Sequence, residues 1–202
     1  MSRVPRRIRE RLSGSERRVR LIQAAIEVFS QRGYEGASVE EIAEAASVTK
    51  PVLYDHFSSK ENLFVAAIEQ IRDGLLYRGN TAVEKEKTPS KKLKAAILVF
   101  FDLAEEDPCA ARVLLISSKA PAPIADTCRR IQAAATSGLA QIMRSHSPSS
   151  AADWGHQWLL KAEFIKKGMH GLTEWWLEHP KVPRLEIEKA LFGILNKGVG
   201  LR

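Results

Sequence analysis

Almost every segment of this chain repeats its apolar residues at helical spacing, and no run alternates apolar and polar β-branched residues over the length of a half-buried strand. That pattern predicts an all-α fold. Gly, Pro and Ser punctuation interrupts it at 33–38, 46–49, 58–59, 79–90, 107–108, 119–123, 145–151 and 179–183, which leaves about nine helices, four of them within residues 15 to 78. The opening three are short and the later ones mostly long, so a small N-terminal unit is expected to precede a larger helical bundle.

Local signals place the first helices. Val19, Ile22, Ile26 and Phe29 form an apolar stripe on helix one, which is expected to stop at Gly33. Ser38 and Glu41 have the spacing of a capping box, in which each side chain accepts the other's backbone N–H, and open a short helix that buries Val39, Ile42, Ala43 and Ala46. Thr49 is placed to cap a third helix with Pro51 in its first turn and Leu53 and Phe57 on its inner face. Ser58 and Glu61 read as another capping box, launching a helix that points Leu63, Ala67, Ile71 and Leu75 inward.

Two short helices about a three-residue turn are the pattern of a helix-turn-helix, whose second helix enters the major groove. With Leu53 and Phe57 turned inward, Lys50, Pro51, Tyr54 and Asp55 face out; Asp55 repels phosphate and is expected to tune specificity or orient Lys50. Charge supports a polyanionic partner: 31 Lys and Arg stand against 24 Asp and Glu, for a net +7. Residues 1–20 hold eight arginines and two glutamates, so the excess is concentrated next to the helix-turn-helix, as in an arm that tracks phosphates or enters the minor groove.

Other classes find little support. There is no Gly-rich phosphate loop, no HExxH, no Glu-x-x-His pairing and no nucleophile motif, and the five histidines are scattered; no catalytic residue, metal or cofactor is expected. Cys109 and Cys128 are too few for a disulfide framework and lack metal-type spacing, so both are expected as small buried or half-buried thiols in a reducing, cytoplasmic compartment. No window approaches the ~20 consecutive apolar residues of a membrane span, and no secretory apolar region follows the arginines.

The 45 residues from Arg20 to Phe64 resemble the N-terminal DNA-binding domain of TetR-family transcriptional regulators, with AA-x3-F, GY, SVEEIA, LYDHF and SKENL in the family's order. The resemblance implies a homodimer on a double-stranded operator of two half-sites, usually a repressor released by a small molecule; activation is the alternative, and nothing in the chain sets the sign. The positions matching the family's DNA-contacting pattern are Ser38, Thr49, Lys50, Pro51, Tyr54, His56 and Lys60. The turn departs from the family in having Ser47 where glycine is usual; if positive φ is needed there, serine costs roughly 1 kcal/mol.

Beyond Lys91 the resemblance is one of architecture: a bundle for ligand binding and dimerisation. Phe100, Phe101, Leu103, Leu114, Leu115, Ile116, Leu139, Met143, Trp154, Trp158 and Phe164 are the expected interior. Of these, Phe100, Leu103, Leu114, Met143, Trp154 and Trp158 could wall a pocket for a largely hydrophobic molecule, with no polar cluster to identify it. The last two helices are expected to pair across a two-fold axis through Phe164, Gly168, Leu172, Leu191 and Leu195. The expected division is a basic arm at 1–14, a DNA-binding unit at 15–60 and an effector and dimerisation unit at 61–202.

Overall fold

The first helix, α1 (Gly14–Gly36), opens on a capping box in which the Glu16 N–H donates to Ser13 Oγ at 3.2 Å and the Ser13 N–H donates to the Glu16 carboxylate at 2.7 Å. The computed structural model describes residues 13–118, 120–122, 124–144 and 156–198, so nearly all of the arginine-rich arm expected at 1–14 lies outside the described residues. Gly33 takes φ 69°, which ends regular helix at the expected residue, and one further turn follows. The buried face of α1 is rotated from the expected stripe. Leu21, Ile22, Ala25, Ile26 and Phe29 are buried, whereas Val19 is 57% exposed.

Next come α2 (Val39–Ala45) and α3 (Lys50–Tyr54), then α4 (Lys60–Glu84), α5 (Pro89–Glu106), α6 (Pro108–Ser117), α7 (Ala125–Arg144), α8 (Gln157–Glu178) and α9 (Arg184–Gly198). The described residues thus form nine helices and no strand, an all-α fold. None of these helices is long and apolar enough to cross a membrane.

Two caps differ from expectation. Thr49 occupies the N-cap position of α3 but makes no side-chain cap bond, leaving Pro51 to start that helix. At α4 the cap is Ser59, which accepts from the Asn62 N–H at 3.2 Å, and the Glu61 carboxylate instead accepts from the Tyr34 hydroxyl at 3.0 Å. The cap thus shifts by one residue and no reciprocal box closes, the Asn62 side-chain amide donating instead to Ser58 Oγ.

α4 also runs through the expected break at Gly79. A lone helical glycine costs about 1 kcal/mol, and packing of α4 along α5 overrides it: Arg78 donates to both Glu106 oxygens, at 2.8 and 3.1 Å. Its N-terminal half carries Leu63, Phe64 and Ala67 into the helix-turn-helix core, where Phe64 meets Phe29 edge-on at 4.9 Å; its C-terminal half joins the bundle. α6 packs on α1, α4, α5 and α8, so one apolar core runs from Leu21 and Phe29 to Phe101, Ile165 and Leu195.

Candidate nucleic-acid interface and effector cavity

The turn between α2 and α3 is built around Ser47 at φ 56°, the one non-glycine residue with positive φ among those described. The Ser47 N–H donates to the Glu44 carbonyl at 2.8 Å and the Val48 N–H to the Ala43 carbonyl at 2.9 Å, closing α2 and reversing the chain. Leu53 and Phe57 are buried beneath α3, while Thr49, Lys50, Pro51, Asp55 and the 44%-exposed Tyr54 lie on its outer side. The expected outward face is therefore formed.

Its internal pairing differs from expectation. Lys50 Nζ bonds Glu40 of α2, not Asp55, and lies 5.9 Å from the Tyr54 ring centroid. The hydrogen bond holds the Lys50 ammonium above its ordinary pKa and the Glu40 carboxyl below. Ser38 is the N-cap of α2, its Oγ accepting from the Glu41 N–H at 3.1 Å while its own N–H donates back to Glu41 at 3.0 Å. Lys60 turns inward: Nζ donates to the Tyr34 and Ala37 carbonyls at 3.0 and 3.1 Å and sits 4.6 Å from the Tyr34 centroid, tying α4 to the α1–α2 junction. His56, half-buried after α3, offers its carbonyl to Arg18 Nη1 at 3.2 Å, and the Arg18 guanidinium covers the Phe57 ring at 4.3 Å. Glu40 and Arg18 were missed by sequence reasoning, because each reaches its partner across a turn or between helices.

In the bundle, a cavity of about 330 Å³ opens between α4 and α7, backed by α5, α6 and α8. Phe100 and Leu114 are among its lining residues. Leu103, Met143 and Trp158 are not: Leu103 and Met143 pack into the core, and Trp158 lies half-buried under Lys161 Nζ, 4.7 Å from its centroid. Trp154 lies outside the described residues. The wall facing α7 is instead supplied by α4, through Leu75, Leu76, Gly79 and Val83, because that helix continues past its glycine.

A polar cluster, unforeseen in the sequence, closes the α8 side of the cavity. Lys166 and His170 are lining residues four apart on α8, and Lys166 is held by Gln132, Thr136 and Glu163. His170 stacks on Phe100 with centroids 5.1 Å apart and planes at 19°. Burial, then Lys166 and Lys167, push its pKa down to about 4, so the ring is neutral near pH 7. No cluster of three or more potential metal ligands occurs among the described residues. Cys109 and Cys128 are free thiols, half-buried and buried, and burial pushes Cys128 up in pKa.

On the outer side of α8 and α9 the expected pairing residues divide. Leu191 and Leu195 are buried in the chain's own core, and Gly168 faces Leu191, 4.0 Å from where a Cβ would stand. Phe164 is not interior but 64% exposed, and with Leu160, Trp175 and Ile194 it leaves an apolar face on solvent.

Residues 21–67 match the family model for bacterial regulatory proteins, tetR family. The chain is 42% identical over 104 residues to the HTH-type transcriptional activator FasR of Mycolicibacterium smegmatis, a match covering 52% of this chain and 48% of FasR. It is 32% identical over 110 residues to the HTH-type transcriptional regulator RutR of Escherichia coli, covering 54% and 51%. Each match thus spans about half the length of the relative. In three dimensions it is similar to the transcriptional regulator FadR from Bacillus subtilis, solved in complex with stearoyl-CoA, with a TM-score of 0.77 at 21% identity over 88% of this chain and 96% of that one.

Proposed function

Because the chain belongs to the TetR family of bacterial regulatory proteins, by its DNA-binding domain and by its fold, we propose that it is a cytoplasmic repressor that binds a palindromic operator as a homodimer and is released by a small, largely hydrophobic effector. The observation that carries this reading is α3: its inner face is filled by Leu53, while Lys50, Pro51 and Tyr54 stand exposed on a helix stopped on both sides by tight turns. Such a face presents a donor, a ring and a hydroxyl to base edges and phosphates. Thr49 and His56 flank it for backbone contact, and Ser38 and Lys60 hold the frame that aims it.

The units are residues 15–60 for DNA and 61–202 for effector and pairing, with the arm at 1–14 adding salt-dependent affinity. Two recognition helices must lie about 34 Å apart, or a multiple of a helical turn, to enter successive major grooves. The apolar face of Phe164, Trp175 and Ile194, together with Gly168 and Leu172, is the surface on which two copies would pair to set that distance, while Leu191 and Leu195 support it from beneath. An occupant of the cavity presses on α4 and on Leu114 of α6, and both helices reach the DNA-binding unit. An effector that fits one arrangement better shifts the population toward it. It is expected to lower operator affinity with the dimer intact.

Activation is the second reading, favoured by the name of the 42%-identical relative, an activator. Selection of bound duplexes from a random library, repeated with Lys50→Ala and Tyr54→Phe, tests the common part. A palindrome whose bases relax in the variants supports it; binding that follows only salt overturns it. Transcription from a promoter bearing the selected site then gives the sign.

A further inference from the structure

Two basic side chains, Arg72 and Lys166, line the bundle cavity, and each is already paired with a carboxylate. Lys166 is 3% exposed; its Nζ donates to the Gln132 carbonyl at 3.1 Å and to Thr136 Oγ1 at 2.6 Å, and pairs with Glu163 Oε2 at 2.8 Å. These partners use all three ammonium protons. Thr136 Oγ1 in turn donates to Glu163 Oε2 at 2.6 Å, so the cation and the carboxylate are closed into one hydrogen-bonded ring. Arg72 is paired along α4, with Asp73 at 2.8 Å and Glu69 at 3.9 Å.

His170 is the remaining titratable side chain among the described residues of the lining. Its Nδ1 is buried without a hydrogen-bond partner, so the ring keeps unused hydrogen-bonding capacity beside the cavity. Around it the walls are apolar, through Leu75, Val83, Val99, Ile131 and Leu139. The 330 Å³ of space lies within the range of cavities that hold small molecules.

We infer that the molecule this cavity takes is uncharged: an apolar body bearing one carbonyl or hydroxyl oxygen, lying against Phe100 and meeting His170. The inference rests on the regulator reading above and assigns the chemistry of its effector. A carboxylate entering here must displace Glu163 from a ring that is already neutral, and an ammonium group meets Lys166 with no anion free to receive it. A medium-chain alcohol, ketone or ester satisfies the lining without either cost.

Calorimetric titration of the full chain with decanol, methyl nonanoate, decanoate and decylammonium tests the assignment, with operator affinity measured in parallel on selected duplexes. Decanol or the ester is expected to bind, with decanoate and decylammonium at least about tenfold weaker. Gly138→Phe, which fills the cavity from α7, is expected to abolish binding of every probe; His170→Phe is expected to weaken the ester without disturbing the fold, because the ring keeps its stack on Phe100. Decanoate binding as tightly as the ester and lost in Lys166→Met would overturn the inference, as would binding of none of the four, or of decanoyl-CoA in place of them all. Loss of the regulator reading is distinguished by the absence of a selected duplex.

Discussion

Ser47 holds a left-handed backbone that an L side chain adopts at a cost of about 1–2 kcal/mol, in the turn that sets the angle between α2 and α3. Ser47→Gly is expected to gain about 0.5–1 kcal/mol after the entropy of glycine is deducted, visible as a rise in thermal midpoint with the operator motif unchanged. Ser38→Ala removes the cap of α2 and is expected to lose about 1 kcal/mol without DNA present; lost operator affinity at an unchanged midpoint would assign the hydroxyl to phosphate instead. His170 carries a pH dependence. Its folded pKa of about 4 lies below the ordinary 6.5, so as pH falls from 6.5 the unfolded chain takes up the proton first and stability declines until about pH 4. Above 6.5 the contribution is complete. The span is about 3 kcal/mol, and the difference between urea titrations of wild type and His170→Phe across pH 4 to 7 isolates it. Ser38 and Ser47 were readable in the sequence because caps and turns are local chemistry. The partners of Lys50, Lys60 and Lys166 were not, since a lysine's reach selects among carboxylates and carbonyls that only the packed helices bring near.

At the scale of the helix, α4 does most to connect the molecule. It starts under Phe29, walls the cavity with Leu75, Gly79 and Val83, and is stitched to α5 by Arg78. Asp102 on α5 shares its oxygens between Arg78, at 3.9 Å, and Arg184 of α9, at 2.6 Å; Arg184 also reaches Glu105 at 2.9 Å and Glu188 at 2.6 Å. Arg184→Met is expected to cost about 1–2 kcal/mol, since charge-assisted bonds at partly buried sites exceed surface pairs, and to loosen α9, seen as faster amide exchange there. Apolar periodicity located these helices with little error, since burying one face is a demand each segment meets alone. It misjudged the end of α4 and the wall of the cavity. A glycine inside a helix is decided by what packs alongside, and Leu75 or Leu76 faces a cavity only once α7 stands opposite.

For the whole molecule, the exposed apolar face of α8 and α9 is expected to be covered by a second copy. Phe164→Glu places a charge on that face without touching the core, and should convert a dimer to a monomer in sedimentation equilibrium while weakening operator binding by about 10²-fold through lost avidity. The all-α class and the succession of a short-helix unit and a long-helix bundle were legible from punctuation and period. The seam between them was not: α6 rests on α1 as well as on the bundle, a contact between residues some ninety apart that leaves no trace in local spacing. That seam makes the DNA-reading head a poor interchangeable part. A hybrid that grafts the first sixty residues onto another regulator's sensor would meet a foreign α6, so rewiring which promoter answers which signal would require exchanging α6 along with the head, or changing only the few outward side chains of α3.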